Sequence, residues 1–450
     1  MRIHSSANAR LAYTRQRQGE AVSFGLVADP QQRYLSQVRR FGRNARLYLL
    51  YSLLSGFGMG ILRLFFNLYV LSLGHDTALL GLLVAMPPIV AATSALPLGL
   101  LGHRIGFRRA LLLGGGLMVA AISGIAWSTS VAALVGFALC RGLARTLLEV
   151  CNAPFLAENS RAQERTHLFS VQFAARTLSG VFGFLLAGSL PLLFAQVLSV
   201  GAEDPLAYRG ALMVGAGVFL FALIPLRKTR TQELDRHREP SPGLREAFHS
   251  PGLLLRLFAP QVIIGLGAGA LVPFLNVFFK GRFGVSDTVL GAIFAGQSLM
   301  MGLATLAGPA LAHRWGRIRT VVAAQLCSIP FLALLGYAPQ FGPAVVGFLA
   351  RASLMNLGTP LYAAFAMEQV DGKRRATASG LLQMSWQGTR ALGAYASGWI
   401  QAGPGFPTLF PITIGCYLLA STLIYAFFLH GQRSAPATRS DPGDAPPTGS

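Results

Sequence analysis

The chain has 450 residues, of which 53% are hydrophobic and 12% charged, with 38 Lys+Arg against 17 Asp+Glu and a formal net charge of +21. Mean hydropathy is +0.51. A soluble domain carries about 25% charged residues, so this composition excludes an ordinary soluble enzyme, a disordered chain and a disulfide scaffold, and points to an integral membrane protein. The basic excess falls in short clusters between apolar segments. That pattern suits loops against an anionic leaflet rather than nucleic acid.

The sequence opens on a polar, Arg-rich arm, residues 1–43, without the apolar stretch of a cleavable signal peptide. The first membrane segment is therefore expected to act as the targeting signal. A hydrocarbon core of about 30 Å demands roughly 20 apolar residues per helix. Twelve segments supply them, at about 47–73, 77–102, 109–129, 131–156, 167–192, 208–226, 254–280, 286–313, 319–338, 342–368, 376–401 and 407–429. None shows the alternation of a membrane strand, so the expected fold is all-α with 12 transmembrane helices. Pro87-Pro88 predicts a kink in segment 2.

Loops that follow even-numbered segments are Arg-rich: Arg104, Arg108 and Arg109; Arg161 and Arg165; Arg227, Lys228 and Arg230; Arg314, Arg317 and Arg319; Lys373, Arg374 and Arg375. The opposite loops carry only Arg209, Lys280 and Arg282. The bias predicts cytoplasmic N- and C-termini in a multi-pass protein of the inner or plasma membrane. Residues 44–226 and 254–429 then form two six-helix bundles, joined by a cytoplasmic linker at 227–253. Residues 430–450, rich in Pro, Ser, Gly and Asp, read as a disordered cytoplasmic tail.

The four cysteines, Cys140, Cys151, Cys327 and Cys416, lie in apolar segments and read as small core hydrophobes. No histidine sits mid-segment, so no metal or haem ligand set is expected. Neither a G-x-x-x-x-G-K-[ST] loop nor a nucleophile–base constellation is found. Direct ATP drive, enzymatic activity and a cofactor are accordingly not expected.

The two halves repeat each other at an offset of about 210 residues. Gly56, Gly58 and Gly60 followed by Asn67 match Gly265, Gly267 and Gly269 followed by Asn276. Leu80-Gly81 matches Leu290-Gly291, and His103-Arg104-Ile-Gly106 matches His313-Arg314-Trp-Gly316. Arg141 pairs with Arg351, Glu158 and Arg165 with Glu368 and Arg375, and Gly183 and Gly188 with Gly393 and Gly398. Similarity among apolar helices does not explain the polar matches.

Two similar six-helix halves with a linker describe a rocking transporter. Over residues 44–430 the chain resembles the major facilitator superfamily. The loop Gly99-Leu-Leu-Gly-His103-Arg104-Ile-Gly106-Phe107-Arg108-Arg109 is similar to that family's G-x-x-x-D-R-x-G-R-R, and Pro309-Ala-Leu-Ala-His313-Arg314-Trp-Gly316-Arg317 is a second copy. Both place histidine where the family has an aspartate that helps lock the cytoplasmic gate. The resemblance implies two pseudo-symmetric bundles, alternating access and a cytoplasmic gate built from His103, Arg104, Glu158, Arg165, His313, Arg314, Glu368 and Arg375. In that gate Glu158 and Glu368 would pair with Arg104, Arg165, Arg314 or Arg375. Simple loop anchoring at the headgroups is the other reading of the same arginines. Gly106 and Gly316 are expected to let a loop of a few residues turn back into the bilayer.

Ionisable groups at membrane depth are costly and functional by default. They are Arg63, Arg141, Arg145, Glu149, Arg176, Arg351 and Arg390. Arg141, Arg145 and Glu149 share one helix face, which must line a cavity or pack inward. Glu149 is expected to pair with Arg145 and is the candidate for proton coupling. The remaining guanidiniums predict an electropositive cavity suited to a carboxylate or phosphate; bracing against helix carbonyls is the alternative. Arg63 has Val272 as its repeat counterpart, so the fold does not require it. The candidates for substrate contact are Arg63, Asn67, Arg141, Arg145, Asn276, Arg351, Gln383, Trp386, Gln387 and Arg390. Asn152, Gln172, Gln261, Gln297, Asn356 and Tyr362 extend the polar lining or make interhelical hydrogen bonds.

The leading expectation is a monomeric secondary transporter that moves a small solute by alternating access among membrane lipids. Its substrate would be an organic anion or amphiphile, coupled to a proton or ion. The alternatives are a multidrug exporter of neutral or amphipathic compounds and a non-transporting membrane sensor or lipid-handling protein. The family's antiporter signature, a Gly-Pro pair among spaced glycines in segment 5, is missing: Gly180, Gly183 and Gly188 stand far from Pro191. A cationic drug would also meet charge of the wrong sign.

Overall fold

A computed structural model of the chain describes residues 41–160, 164–230, 251–370 and 375–430. The polar arm before residue 41, linker residues 231–250 and the tail from residue 431 lie outside the described residues, as do Arg161, Lys373 and Arg374 and the side chain of Arg375. Twelve long helices follow one another: α1 (Arg43–Ser72), α2 (Thr77–Ile105), α3 (Phe107–Trp127), α4 (Val131–Glu158), α5 (Arg165–Leu198), α6 (Pro205–Arg227), α7, α8 (Asp287–Trp315), α9 (Arg317–Tyr337), α10 (Phe341–Glu368), α11 (Arg375–Ala402) and α12 (Leu409–Phe428). α7 runs Pro251–Leu271, tightens into a 3-10 turn at Val272–Phe274 around Pro273, and resumes as Leu275–Phe283.

Local chemistry sets the helix ends. Asp76 and Ser286, at equivalent places in the repeat, accept hydrogen bonds from Leu79 N and Val289 N and so cap α2 and α8. A single residue separates α2 from α3, and again α8 from α9. These are Gly106 and Gly316, with φ of 87° and 85°, a conformation that a side chain would strain.

Eleven of the helices are long and apolar enough to cross a membrane. α11, the remaining helix of the expected twelve, is less apolar than the others. Gln383, Gln387, Thr389 and Arg390 lower its hydropathy, and it is covered by α2 and α7 rather than standing alone in lipid.

Packing inside the halves is duplicated. α1 packs on α5 and α6, as α7 does on α11 and α12; α2 packs on α4, as α8 does on α10; α3 packs on α4 and α6, as α9 does on α10 and α12. The halves meet through α2 with α11 and α5 with α8, two contacts that exchange under the same pseudo-twofold. Glycines permit both crossings. A Cβ on Gly81 would lie 2.7 Å from Gly398 Cα, and one on Gly188 would lie 2.8 Å from the Asp287 carbonyl oxygen. Thr77 and Thr288 donate across the same crossings to the carbonyls of Gly398 and Gly188.

The apolar core shows which end is shut. One cluster runs through both halves near the α1–α2 and α7–α8 loops, with Phe184 and Phe294 touching across the divide. At the opposite, Arg-rich end the core divides. One cluster holds Tyr48, Phe107, Phe155 and Leu226 of the first half, and another holds Leu257, Val321, Tyr362 and Ile424 of the second. The bundle is closed at one end and parted at the other.

Candidate functional site: an arginine-lined cavity between the halves

The divide contains a cavity of about 180 Å³. α1 contributes Met59, Arg63, Phe66 and Asn67; α2, Pro87 and Pro88; α4, Arg141 and Arg145; α7, Pro273 and Asn276; α11, Gln387 and Arg390. Four guanidiniums and no carboxylate are thus in the lining. Glu149, one turn beyond Arg145 on α4, binds that arginine at 2.8 Å. Both members of this pair keep open surface, 44% and 32% of the side chain respectively.

The other three arginines are poorly satisfied by protein. Arg141 is buried, lies 3.8 Å over the Phe66 ring and reaches the Leu83 carbonyl only at 3.4 Å, while its Nε has no acceptor. Arg63 and Arg390 rest near Phe184 and Trp386, both at 5.9 Å, and neither donates to an acceptor among the described residues. Aromatic faces hold a guanidinium in place without using its in-plane N–H donors. Such donors remain available to an oxyanion.

The shut end of the cavity is a reciprocal clasp. Asn67 Nδ2 donates to the Pro273 carbonyl at 2.7 Å and to Asn276 Oδ1 at 2.9 Å. Asn276 Nδ2 donates back to the Leu64 carbonyl at 2.8 Å. Further out, Lys280 of α7 holds Tyr208 Oη at 2.6 Å, buried Asp287 at 2.5 Å and Glu203 at 3.3 Å, tying the α5–α6 corner of the first half to α7 and α8.

A second, lateral cleft of about 50 Å³ lies wholly in the first half, among α1, α3, α4, α5 and α6. It shares Met59, Met118 and Arg145 with the central cavity and adds Tyr51, Ser52, Ser55, Glu149, Asn152, Gln172 and Arg176.

The structure therefore brings together Arg63, Asn67, Arg141, Arg145, Asn276, Gln387 and Arg390 of the residues singled out from sequence. Arg351 stands apart: it is buried, 3.4 Å from Tyr417 Oη, and does not line the cavity. Gln383 is exposed outside the lining, and Trp386 meets the site only through Arg390. Tyr362 and Asn356 serve as braces, donating to the carbonyls of Leu257 and Ala352.

At the Arg-rich end Glu368 pairs with Arg317, the first residue of α9, rather than with Arg314; the Arg375 side chain lies outside the described residues. Arg165 caps α4 through the Ala157 carbonyl at 3.2 Å. His103, Arg104, His313 and Arg314 are exposed. Sequence reasoning missed the Lys280–Asp287 pair, because Lys280 counted there only as a loop charge. It also missed the hydroxyls of Tyr51, Ser52 and Ser55.

A sequence model of the major facilitator superfamily matches residues 48–286 and 257–449, so the chain belongs to that superfamily and is a secondary transporter of small solutes, not an enzyme. No curated protein sequence matches it. Solved structures share the fold at low identity. A variant of the nucleoside transporter NupG superposes with a TM-score of 0.72 at 16% identity, over 86% of this chain and 100% of that one. A bacterial homolog of the human lysosomal transporter Spinster, inward-facing and unoccupied, gives 0.69 at 16% identity, over 89% and 97%. The human organic anion transporter MFSD10 gives 0.58 at 20% identity, over 85% and 99%.

Proposed function

We propose that this protein carries an organic anion across the membrane by alternating access, with the anion held by Arg63, Arg141 and Arg390. The observation that carries this reading is the cavity lining: four arginines, with the one nearby carboxylate described already bound to Arg145. An electropositive pocket repels cations and rewards a group that fills the free guanidinium donors. The fold is shared by transporters described for nucleosides, D-xylose and organic anions, so the cargo is read from the lining rather than from the fold.

With the Arg-rich loops placed in the cytoplasm, the shut end faces outward and the parted end inward. Substrate would then enter or leave past Arg145–Glu149. Release outward requires the Asn67–Asn276 clasp and the Lys280 network to break while the Arg-rich ends close. Glu149 is placed to exchange a proton when Arg145 turns to a bound anion, which would couple the cycle to a pH gradient.

The test is uptake into proteoliposomes of anionic, neutral and cationic probes under imposed pH and voltage gradients. Anion uptake lost in Arg141→Ala and kept in the exposed control Arg319→Ala is the expected result. Cation-selective flux would reject the reading, and ligand binding without any flux would favour a sensor.

A further inference from the structure

The lateral cleft adjoins the central site at Arg145, and its far wall carries donors that the central site does not use. Gln172 is only 8% exposed, lines the cleft, and its carboxamide has no hydrogen-bond partner among the described residues. The amide atoms are not sealed off from solvent, so they stay available to a guest in the cleft. Arg176 lines the same cleft and makes no ion pair or hydrogen bond among the described residues. Tyr51 and Ser55 line it as well, with the Ser55 hydroxyl donating to the Ser52 carbonyl at 3.2 Å. The acid in the cleft lining, Glu149, is already bound to Arg145 at 2.8 Å. That neutralised pair stands between two sets of unsatisfied donors, the central Arg63, Arg141 and Arg390 and the lateral Arg176 and Gln172.

We infer that the lateral cleft is a second anion subsite, and that the substrate is an elongated dianion whose two charged groups occupy both subsites at once. The backbone along α1 sets the scale of the separation. The Arg176 backbone lies against Gly56, with 3.1 Å between its carbonyl oxygen and a Cβ built there. Gly56 is seven residues from Arg63, or about 10 Å at the helical rise of about 1.5 Å per residue. A nine-carbon α,ω-dicarboxylate spans about that length; a four-carbon one does not. Met59, shared by both linings, offers an apolar bridge for the chain between the charges. The inference rests on the anion reading of the central cavity and adds to it the number and separation of charges.

Isothermal titration of the full-length protein in nanodiscs, with azelate, its monomethyl ester and succinate, tests it. Azelate should bind about 10- to 100-fold tighter than the monoester, as expected for one added charge-assisted contact, and succinate should bind no better than the monoester. Arg176→Gln should remove the azelate advantage while leaving monoester binding intact, which also reports that the variant is folded. Arg176→Lys should keep most of the advantage, and Gln172→Leu should reduce it. Equal affinity for azelate and the monoester, or an advantage that survives both Arg176→Gln and Gln172→Leu, would overturn the second subsite and leave the central one standing. If none of the three binds, the anion reading fails and the inference falls with it.

Discussion

Gly81→Ala should act on the conformational equilibrium more than on the fold. The new Cβ would sit 2.7 Å from Gly398 Cα, 2.9 Å from its nitrogen and 3.0 Å from the Ala394 carbonyl oxygen. All three are backbone atoms, so no rotamer relieves the contact and α2 must draw back from α11 by some tenths of an ångström. Overpacking of this kind costs about 1–3 kcal/mol. Alanine also favours helix over glycine by about 1 kcal/mol, but α2 is helical whichever end is open, so that gain cancels between the two states. The whole overpacking cost therefore falls on the state shut at this end, shifting the balance roughly 5- to 150-fold toward opening there. Spin labels at His75 and Pro404, in loops of opposite halves at the shut end, report the shift by double electron–electron resonance as a longer distance population. Gly183→Ala is the control. Its Cβ would meet Phe57 backbone within one half, so it should lower thermal stability without moving the labels. An unchanged distance distribution in a folded Gly81→Ala protein would refute the argument that this crossing holds the end closed.

Asn67→Ala removes the donor from the Pro273 carbonyl and from Asn276 Oδ1; a buried acceptor left unpaired costs about 1–3 kcal/mol, so the same labels should again report opening. Lys280→Met strands the buried Asp287 carboxylate. It should cost about 3–5 kcal/mol, much of it recovered in Lys280→Met/Asp287→Asn; the thermal stabilities of the single and double variants measure this coupling. Glu149→Gln should abolish pH-driven accumulation in proteoliposomes while sparing exchange at equal pH. Intact pH-driven uptake would remove Glu149 from the coupling step.

Much of the architecture was legible because lipid leaves the backbone one economical solution, a helix that satisfies its own hydrogen bonds. Apolar length located the spans, and the repeat foretold which helices would play equivalent parts. Gly106 and Gly316 were readable as turns because only a left-handed residue fits between helices one residue apart. The repeat misled at Arg141 and Arg351. They occupy the same place in each half, but Arg141 lies over Phe66 and faces the cavity, whereas Arg351 turns to Tyr417. What surrounds a side chain depends on residues distant in sequence, and the two halves have diverged there. The same holds for Glu368, whose partner Arg317 lies across a helix junction, and for Lys280, whose partners Tyr208 and Glu203 come from the other half.

The weak hydropathy of α11 bears on how the protein is made. A helix with Gln383, Gln387 and Arg390 partitions poorly from the insertion machinery into lipid on its own, since a central arginine alone costs about 2.5–3.5 kcal/mol there. Its two covering neighbours, α2 and α7, are both synthesised earlier. By the time α11 emerges from the ribosome, a groove built partly by the opposite half is ready to receive its polar side. Biogenesis of the last third of the chain thus leans on the first, and the halves, though duplicated in shape, are not interchangeable in birth order.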